Sequence, residues 1–192
     1  MNALFQDRRE AGRLLAASLT DYAHRDGCLV LGLDSGAVPV ALEVAHALNL
    51  PLERYPAATD VVKKRCILLV AEGILRSDYV KTAVEALQQQ EIRRIVIASP
   101  VASQTGLAEL WPLVSDVFFL TSPPDLQSLN ECYQRLPAFP TREADELITL
   151  HRNQQYLEPA STHDLVQLKR AQDGAKGNSH RGNSRTSAKG QR

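Results

Sequence analysis

Apolar residues along this chain follow two patterns, and each predicts a different kind of element. Over residues 7–24 they recur three and four positions apart with arginines between them, which predicts an amphipathic helix. Elsewhere they form short unbroken runs, which are typical of strands covered on both faces. Four such runs predict strands at 28–33, 66–70, 94–99 and 117–120.

Helical patterns follow these runs and complete the fold prediction. We predict helices at 39–48, 78–90, 125–136 and 142–156. Pro39 fits the first turn of the first of them, and Ser77 or Asp78 is the expected N-cap of the second. Strands alternating with helices favour a parallel sheet with right-handed crossovers, so the sequence predicts an α/β domain.

Charge is distributed unevenly, although the formal net charge is +0. Residues 165–192 carry seven Lys and Arg against one Asp, and from Gly174 onward the chain has no large apolar residue. Such a segment cannot bury enough surface to offset its ordering entropy. We therefore predict a folded domain over 1–160 and a disordered basic tail over 161–192. The tail either keeps the protein soluble or contacts nucleic acid weakly and without specificity, since it has no aromatic residue for base stacking.

The cysteines and the apolar runs bear on the cellular compartment. Cys28, Cys66 and Cys132 match no zinc or redox spacing, and an odd count without an export signal is typical of a reducing compartment. No run approaches the roughly 20 apolar residues that cross a bilayer. We expect a cytoplasmic protein without a membrane partner. Cys28 and Cys66 are predicted to be buried thiols, and Trp111, Phe118 and Phe119 are predicted to lie in the core.

Two strand-to-helix loops are candidates for chemistry. One is 34–37 and the other is 71–77. In an open parallel sheet, ligands bind at the carboxyl ends of the strands, and backbone N–H groups at a helix N-terminus suit an anion. Every α/β protein has such loops, so this signal has low specificity by itself.

Longer segments resemble the predicted bacterial phosphoribosyltransferases, a branch of the type I phosphoribosyltransferase fold. LFQDRREAGRLLAASL resembles the start of that family, and LGLDSGAVPVALEVAHALNLPLE resembles its first strand, loop and helix. ILLVAEGILRSDYVKTAVEAL aligns with its phosphoribosyl-pyrophosphate segment. RIVIASPVAS, FFLTSPPDLQSLNECY and PTREADELI resemble the later elements. The resemblance spans most of residues 5–150.

The resemblance implies a Rossmann-like domain that binds a phosphorylated sugar or nucleotide, and a glycosyltransferase of nucleotide metabolism. It places the ligand-binding loop at Glu72, Gly73, Ile74, Leu75, Arg76, Ser77 and Asp78, and the pyrophosphate loop at Asp34, Ser35 and Gly36. It also implies magnesium, if the protein is catalytically active, and a homodimer as a partner arrangement. It identifies no catalytic residue and no acceptor.

Departures from the family pattern indicate a degenerate site. Ala71 stands where the family has the first of two adjacent acids, and Leu75 and Tyr79 are bulky where backbone amides approach a phosphate. Asp78 adds a negative charge, for which Arg76 could compensate as a phosphate fork. Residues 52–63 are also too few for the family's mobile cover, so we predict a reduced hood.

Each of these residues could also have a purely structural role. Glu72 could be an exposed loop carboxylate, Arg76 a surface arginine, and Ser35 a helix cap. Three of the five histidines, His24, His46 and His151, lie on or beside predicted helices without metal-ligand spacing. They are expected to be solvated or half-buried, so no metal site is predicted.

Three functions remain open from the sequence. The first is an active phosphoribosyltransferase that acts on a base or nucleotide precursor. The second, which the loop chemistry favours, is a phosphoribosyltransferase-like protein whose ligand binding is weakened or lost. The third is a non-catalytic regulatory or partner-binding protein.

Overall fold

Five parallel strands form the centre of the fold. The computed structural model describes residues 3–56 and 65–157, with side chains up to Gln155. The strands are β1 (Cys28–Gly32), β2 (Leu52–Arg54), β3 (Cys66–Val70), β4 (Arg94–Val101) and β5 (Asp116–Thr121). Their order in the sheet is β2-β1-β3-β4-β5, and all neighbours are parallel. The predicted α/β fold and its four predicted strands are confirmed.

Helices cover both faces of the sheet. They are α1 (Arg8–Ala17), α2 (Val38–Leu48), α3 (Asp78–Gln88), α4 (Gln104–Leu110) and α5 (Thr141–Leu157). Alternate residues of the central strands point to opposite faces of the sheet. On one face they form an apolar cluster with α1, α2 and α5, and on the other face they form a second cluster with α3 and α4. Because the strands are buried on both sides, their sequences are apolar without alternation.

The segment predicted as a helix over 125–136 is not helical. It contains only a 3₁₀ turn at Leu129–Glu131. Its backbone pairs instead with the start of the chain, since the Phe5 N–H donates to Cys132 O at 2.9 Å and the Gln134 N–H donates to Phe5 O at 2.8 Å. Long-range pairing with the N-terminal segment thus replaces local helical bonding.

The three-residue strand β2 and the seven-residue helix α4 were not predicted, because elements this short show no period. Ser77 occupies the N-cap position of α3, but its side chain makes no cap hydrogen bond.

The predicted core position of Trp111 is wrong, since its side chain is 51% exposed. Trp111 packs edge-on against Phe119, with ring centroids 6.4 Å apart. Phe118 and Phe119 are only partly buried. Both phenylalanines belong to β5, which lies at the edge of the sheet and has a neighbouring strand on one side only.

Cys28, Cys66 and Cys132 are buried and free, as predicted for the first two. Cys28 and Cys66 lie opposite each other on β1 and β3. Burial, together with the neighbouring Cys28 thiol, raises the pKa of Cys66 to about 12. This thiol is therefore protonated and unreactive at neutral pH.

Helix α5 is fixed to the β2 segment by three polar contacts. Asp145 accepts a hydrogen bond from Arg54 Nη2 at 3.0 Å, and Arg152 Nη2 lies 2.5 Å from Glu53 Oε1. Between them, His151 Nε2 lies 2.9 Å from Leu50 O. His24 and His46 are exposed as predicted, whereas His151 is buried and only 3% exposed.

Acid is expected to loosen this helix through His151. Burial lowers the pKa of His151, and the nearby His46, whose ring centroid is 4.8 Å away, lowers it further. Below the ordinary histidine pKa the unfolded chain therefore binds a proton that the folded chain does not, so stability falls as the pH drops from about 6.5. We expect urea melts at pH 7.5 and pH 5 to differ less for His151→Gln than for the wild type. An equal difference in both proteins would contradict this assignment.

Two sequence predictions lie wholly or partly outside the described residues. These are the reduced hood, which involves residues 57–64, and the disordered tail with its domain boundary at 160. Among the described helices, none combines the length and apolar character that crossing a bilayer requires.

Candidate functional site

The two candidate loops lie side by side at the carboxyl edge of the sheet. They follow β1 and β3, which are neighbours in the sheet. A β-carbon added at Gly36 of the first loop would lie 2.8 Å from Glu72 Oε1 of the second. The glycine is therefore needed for this close approach. The structure thus brings the two predicted loops into contact.

Glu72 is held by an ion pair that the sequence did not predict. Its Oε2 accepts a hydrogen bond from Arg8 Nε at 2.6 Å, and Arg8 is only 7% exposed. The guanidinium also donates to Pro137 O at 2.8 Å and lies 5.9 Å from the centroid of the Phe139 ring. Glu72 is thus not an exposed loop carboxylate, since one of its oxygens is paired with a buried arginine.

Two further residues close around the Glu72–Gly73 turn. The Tyr133 hydroxyl donates to Glu72 O at 2.6 Å, and burial raises the pKa of this tyrosine. Leu129 packs directly on Gly73, where an added β-carbon would clash with Leu129 Cδ2. The absence of a side chain at Gly73 therefore makes room for Leu129, which lies against this turn.

The backbone of Ile74 and Leu75 is already hydrogen-bonded. The Ile74 N–H donates to Val101 O at 2.8 Å, and Ile74 O accepts from the Ser103 N–H at 2.7 Å. Ser103 Oγ donates to Leu75 O at 2.8 Å. The Ile74 side chain is 1% exposed. This half of the loop extends the pairing of β3 and β4, so its Ile74 amide is not available to an anion.

In the other half of the loop, residues 76–78, the polar side chains form hydrogen bonds within the protein. Arg76 donates from Nε and Nη2 to Asp78 Oδ2 at 3.0 and 2.8 Å. Both side chains are mostly exposed, so this pair contributes little stability. Ser77 is buried and donates to Glu109, which also accepts from Lys81 Nζ at 2.6 Å. The hydrogen bonds from Lys81 and Ser77 lower the pKa of Glu109.

Tyr79 spans the gap between the two loops. It lies on the first turn of α3, is half exposed, and directs its hydroxyl towards Leu33 O at 3.4 Å. Partial burial and the neighbouring Asp34 raise its pKa. Its ring therefore lies above the carboxyl ends of β1 and β3, where a ligand of this fold would bind.

The first loop is stabilised by a hydrogen bond of its own aspartate. Asp34 Oδ1 accepts from the Ala37 N–H at 2.9 Å, and Ala37 directly precedes α2. One alternative from the sequence was that Ser35 caps helix α2. It does not, because its Oγ lies 2.9 Å from Thr141 Oγ1 at the start of α5. Asp34 therefore has a structural use, and the loop presents no cation of its own.

Arg8, Leu129 and Tyr133 are the site residues that sequence reasoning missed. They lie 64, 57 and 61 positions from Glu72 in the chain, so no local period marks them. The only available signal was the resemblance, since Arg8 and Tyr133 fall inside the segments LFQDRREAG and SLNECY. Within residues 3–56 and 65–157, no group of three His, Cys, Asp or Glu side chains could hold a metal ion.

Comparisons with known proteins agree with this architecture. No protein-family model matches the chain. Two proteins of Mycobacterium tuberculosis, named "Putative phosphoribosyl transferase MT0597" and "Putative phosphoribosyl transferase Rv0571c", are each 50% identical to it over 50 residues, which is 26% of this chain. The match spans only 11% of the length of either protein.

A solved structure extends the likeness to the whole domain. TT1426 from Thermus thermophilus superposes with a TM-score of 0.68 at 22% identity, covering 75% of this chain and 97% of that one. This superposition shows a shared fold. The 50-residue match separately relates part of the sequence to proteins named as putative phosphoribosyl transferases.

Proposed function

We propose that this chain is a phosphoribosyltransferase-like protein in which binding of phosphoribosyl pyrophosphate is weakened or lost. The observation that carries the proposal is the 2.6 Å ion pair between Arg8 and Glu72. Glu72 is the one acid of the family motif that remains, and its role would be to accept hydrogen bonds from ribose hydroxyls. A hydroxyl would have to compete with a guanidinium that is itself buried, and separating such a pair is costly.

The position of the missing acid supports the same proposal. Ala71 is 3% exposed and packs in an apolar cluster with Leu33 and Ile74. A carboxylate there would lose its hydration without gaining a partner. The sheet edge is therefore packed for an apolar residue at 71.

The phosphate cradle is also weakened on both sides. The Ile74 amide is used within the protein, Leu129 covers Gly73, and Tyr79 lies between the loops. Phosphate binding in such folds depends on several donors acting together, each of which contributes to affinity. Losing part of the cradle would cost several-fold in affinity for each donor.

Each carboxylate near the two loops already has one oxygen bonded within the protein, which weakens it as a ligand for Mg²⁺. Mg²⁺ is held through one or two carboxylates together with substrate phosphates. Glu72 is bonded to Arg8, Asp34 to the Ala37 N–H and Asp78 to Arg76. We therefore derive no catalytic step through the ion.

Calorimetric titration of phosphoribosyl pyrophosphate with Mg²⁺ into the full chain tests the proposal. We expect no saturable heat at ligand concentrations up to about 1 mM, where binding would correspond to about −4 kcal/mol. A variant combining Leu75→Gly, Asp78→Thr and Tyr79→Ala should gain binding, while Ala71, Ile74 and Ser77 are kept because all three are buried. The matched control adds Ala71→Asp to these changes, and we expect it to bind no better, because that carboxylate is buried without a partner.

Saturable binding by the wild type would overturn the proposal. If it were accompanied by release of pyrophosphate in the presence of a nucleobase, the protein would be an active phosphoribosyltransferase. Absence of binding in the wild type and in the restored variant would instead favour a regulatory or partner-binding protein on this fold.

A further inference from the structure

Three arginines stand at the opposite edge of the sheet from the candidate site. Arg25 precedes β1, Arg65 directly precedes β3 and Arg94 is the first residue of β4. These strands are neighbours in the sheet, and all three arginines are exposed. The amino edge of an otherwise acidic domain therefore carries a row of positive charge.

The backbone holds this row in place. The Arg65 N–H donates to Gly27 O at 2.9 Å, and the Arg94 N–H donates to Arg65 O at 3.1 Å. The guanidinium carbons of Arg25 and Arg94 lie 5.3 and 5.7 Å from the centroid of the same Tyr22 ring. Tyr22 itself is only 4% exposed, so a buried aromatic ring supports two guanidinium groups near the surface.

These charges have no acidic partner within the described part of the chain. No carboxylate oxygen of those residues lies within 4.0 Å of Arg25, Arg65 or Arg94, unlike the paired Arg8 and Arg54. Asp116, at the start of the neighbouring strand β5, uses its Oδ1 to accept the Val117 N–H at 2.8 Å. Because both guanidinium groups lie near the same ring, their like charges repel each other, and an anion that contacts this row would relieve that repulsion.

We propose that Arg25 and Arg94, with Arg65 beside them, form a binding site for phosphate groups. Guanidinium forks match phosphate oxygens in pairs, which gives charge and geometry together. The shared chemistry is the phosphate group, carried either by a free oligophosphate or by the backbone of a nucleic acid. The buried Tyr22 ring is not available for base stacking, so no base preference is expected. This site is separate from the carboxyl-edge loops and does not depend on their function.

The test uses the full chain and two magnesium-free probes, inorganic pyrophosphate and a short single-stranded oligonucleotide of mixed sequence. The double variant Arg25→Ala/Arg94→Ala is compared with Arg13→Ala/Arg142→Ala, which removes the same charge from exposed arginines elsewhere. We expect the first variant to lose about tenfold or more in affinity for at least one probe. The control should stay within about twofold of the wild type, because Arg13 and Arg142 lie on helices α1 and α5 and not in the row.

Each outcome separates the possible sources of the phosphate group. Loss for pyrophosphate and oligonucleotide alike identifies a site for a free phosphate group, and loss for the oligonucleotide alone identifies a nucleic-acid backbone as the source. Equal losses in both double variants would show a general charge effect and overturn the proposal, as would absence of binding in the wild type. The thermal shift caused by each probe is measured as well, because it reports binding even if the loss of contacts to Tyr22 lowers stability.

Discussion

Replacing Glu72 with alanine is expected to lower the free energy of unfolding by about 3 kcal/mol. The change leaves the Arg8 guanidinium, in a residue 7% exposed, without its carboxylate, although the bond to Pro137 O remains. Breaking a buried pair from one side is costly because the remaining charge stays desolvated. Urea denaturation followed by circular dichroism measures the loss.

The control for this prediction is the exposed pair Arg142–Glu146. Its side chains are 89% and 59% exposed, so Glu146→Ala should change stability by less than about 0.5 kcal/mol. The variant Glu72→Gln separates charge from hydrogen bonding, and we expect it to fall between the two. If Glu72→Ala were as stable as the wild type, the ion pair would not restrain the carboxylate, and Glu72 would be free for a ribose.

Gly12→Val is expected to destabilise the domain by about 3 kcal/mol, the upper range for overpacking a core. Gly12 lies where α1 crosses α2, and an added β-carbon would meet Val40 O at 2.7 Å and Val40 Cα at 3.1 Å. These are backbone atoms, so the helices must separate to admit a side chain. That shift would also displace Arg8, which lies one turn earlier on α1 and holds Glu72.

The matched control for Gly12→Val is Ala17→Val on the exposed face of the same helix. It introduces the same β-branched side chain, and the lower helix propensity of valine should reduce stability by about 0.5 kcal/mol. Chemical denaturation of the two variants gives the comparison. A loss at Gly12 no larger than at Ala17 would show that the helix pair can separate without strain.

The site and the fold are linked through α1. Its Asp7 cap and Arg8 lie at the same end as the candidate loops, and its middle packs on α2. The residue that restrains Glu72 is therefore set by helix packing as well as by charge. On the proposed function, this linkage would let a carboxylate inherited from a binding loop serve the stability of the domain.

The sequence by itself determined the elements whose signal is local. The runs at 28–33 and 66–70 are apolar because both faces of β1 and β3 are covered, and that requirement is visible without knowing the partners. It also placed both candidate loops at the ends of strands, and the order of those strands then made them neighbours. The local pattern of residues 125–136 predicted a helix, and this prediction was wrong because the segment pairs with the distant N-terminal residues around Phe5.

Only the tertiary structure decided what Glu72 does. Arg8 is 64 positions away and Tyr133 is 61 positions away, and neither periodicity nor spacing links them to the loop. The same holds for Trp111, which begins the 3₁₀ turn after α4 and packs on Phe119 of the edge strand β5, so that it is exposed despite its apolar character. The physical reason is common to these cases. Hydrophobic period reports which face of an element is buried, whereas ion pairing and edge position depend on which distant elements the fold brings together.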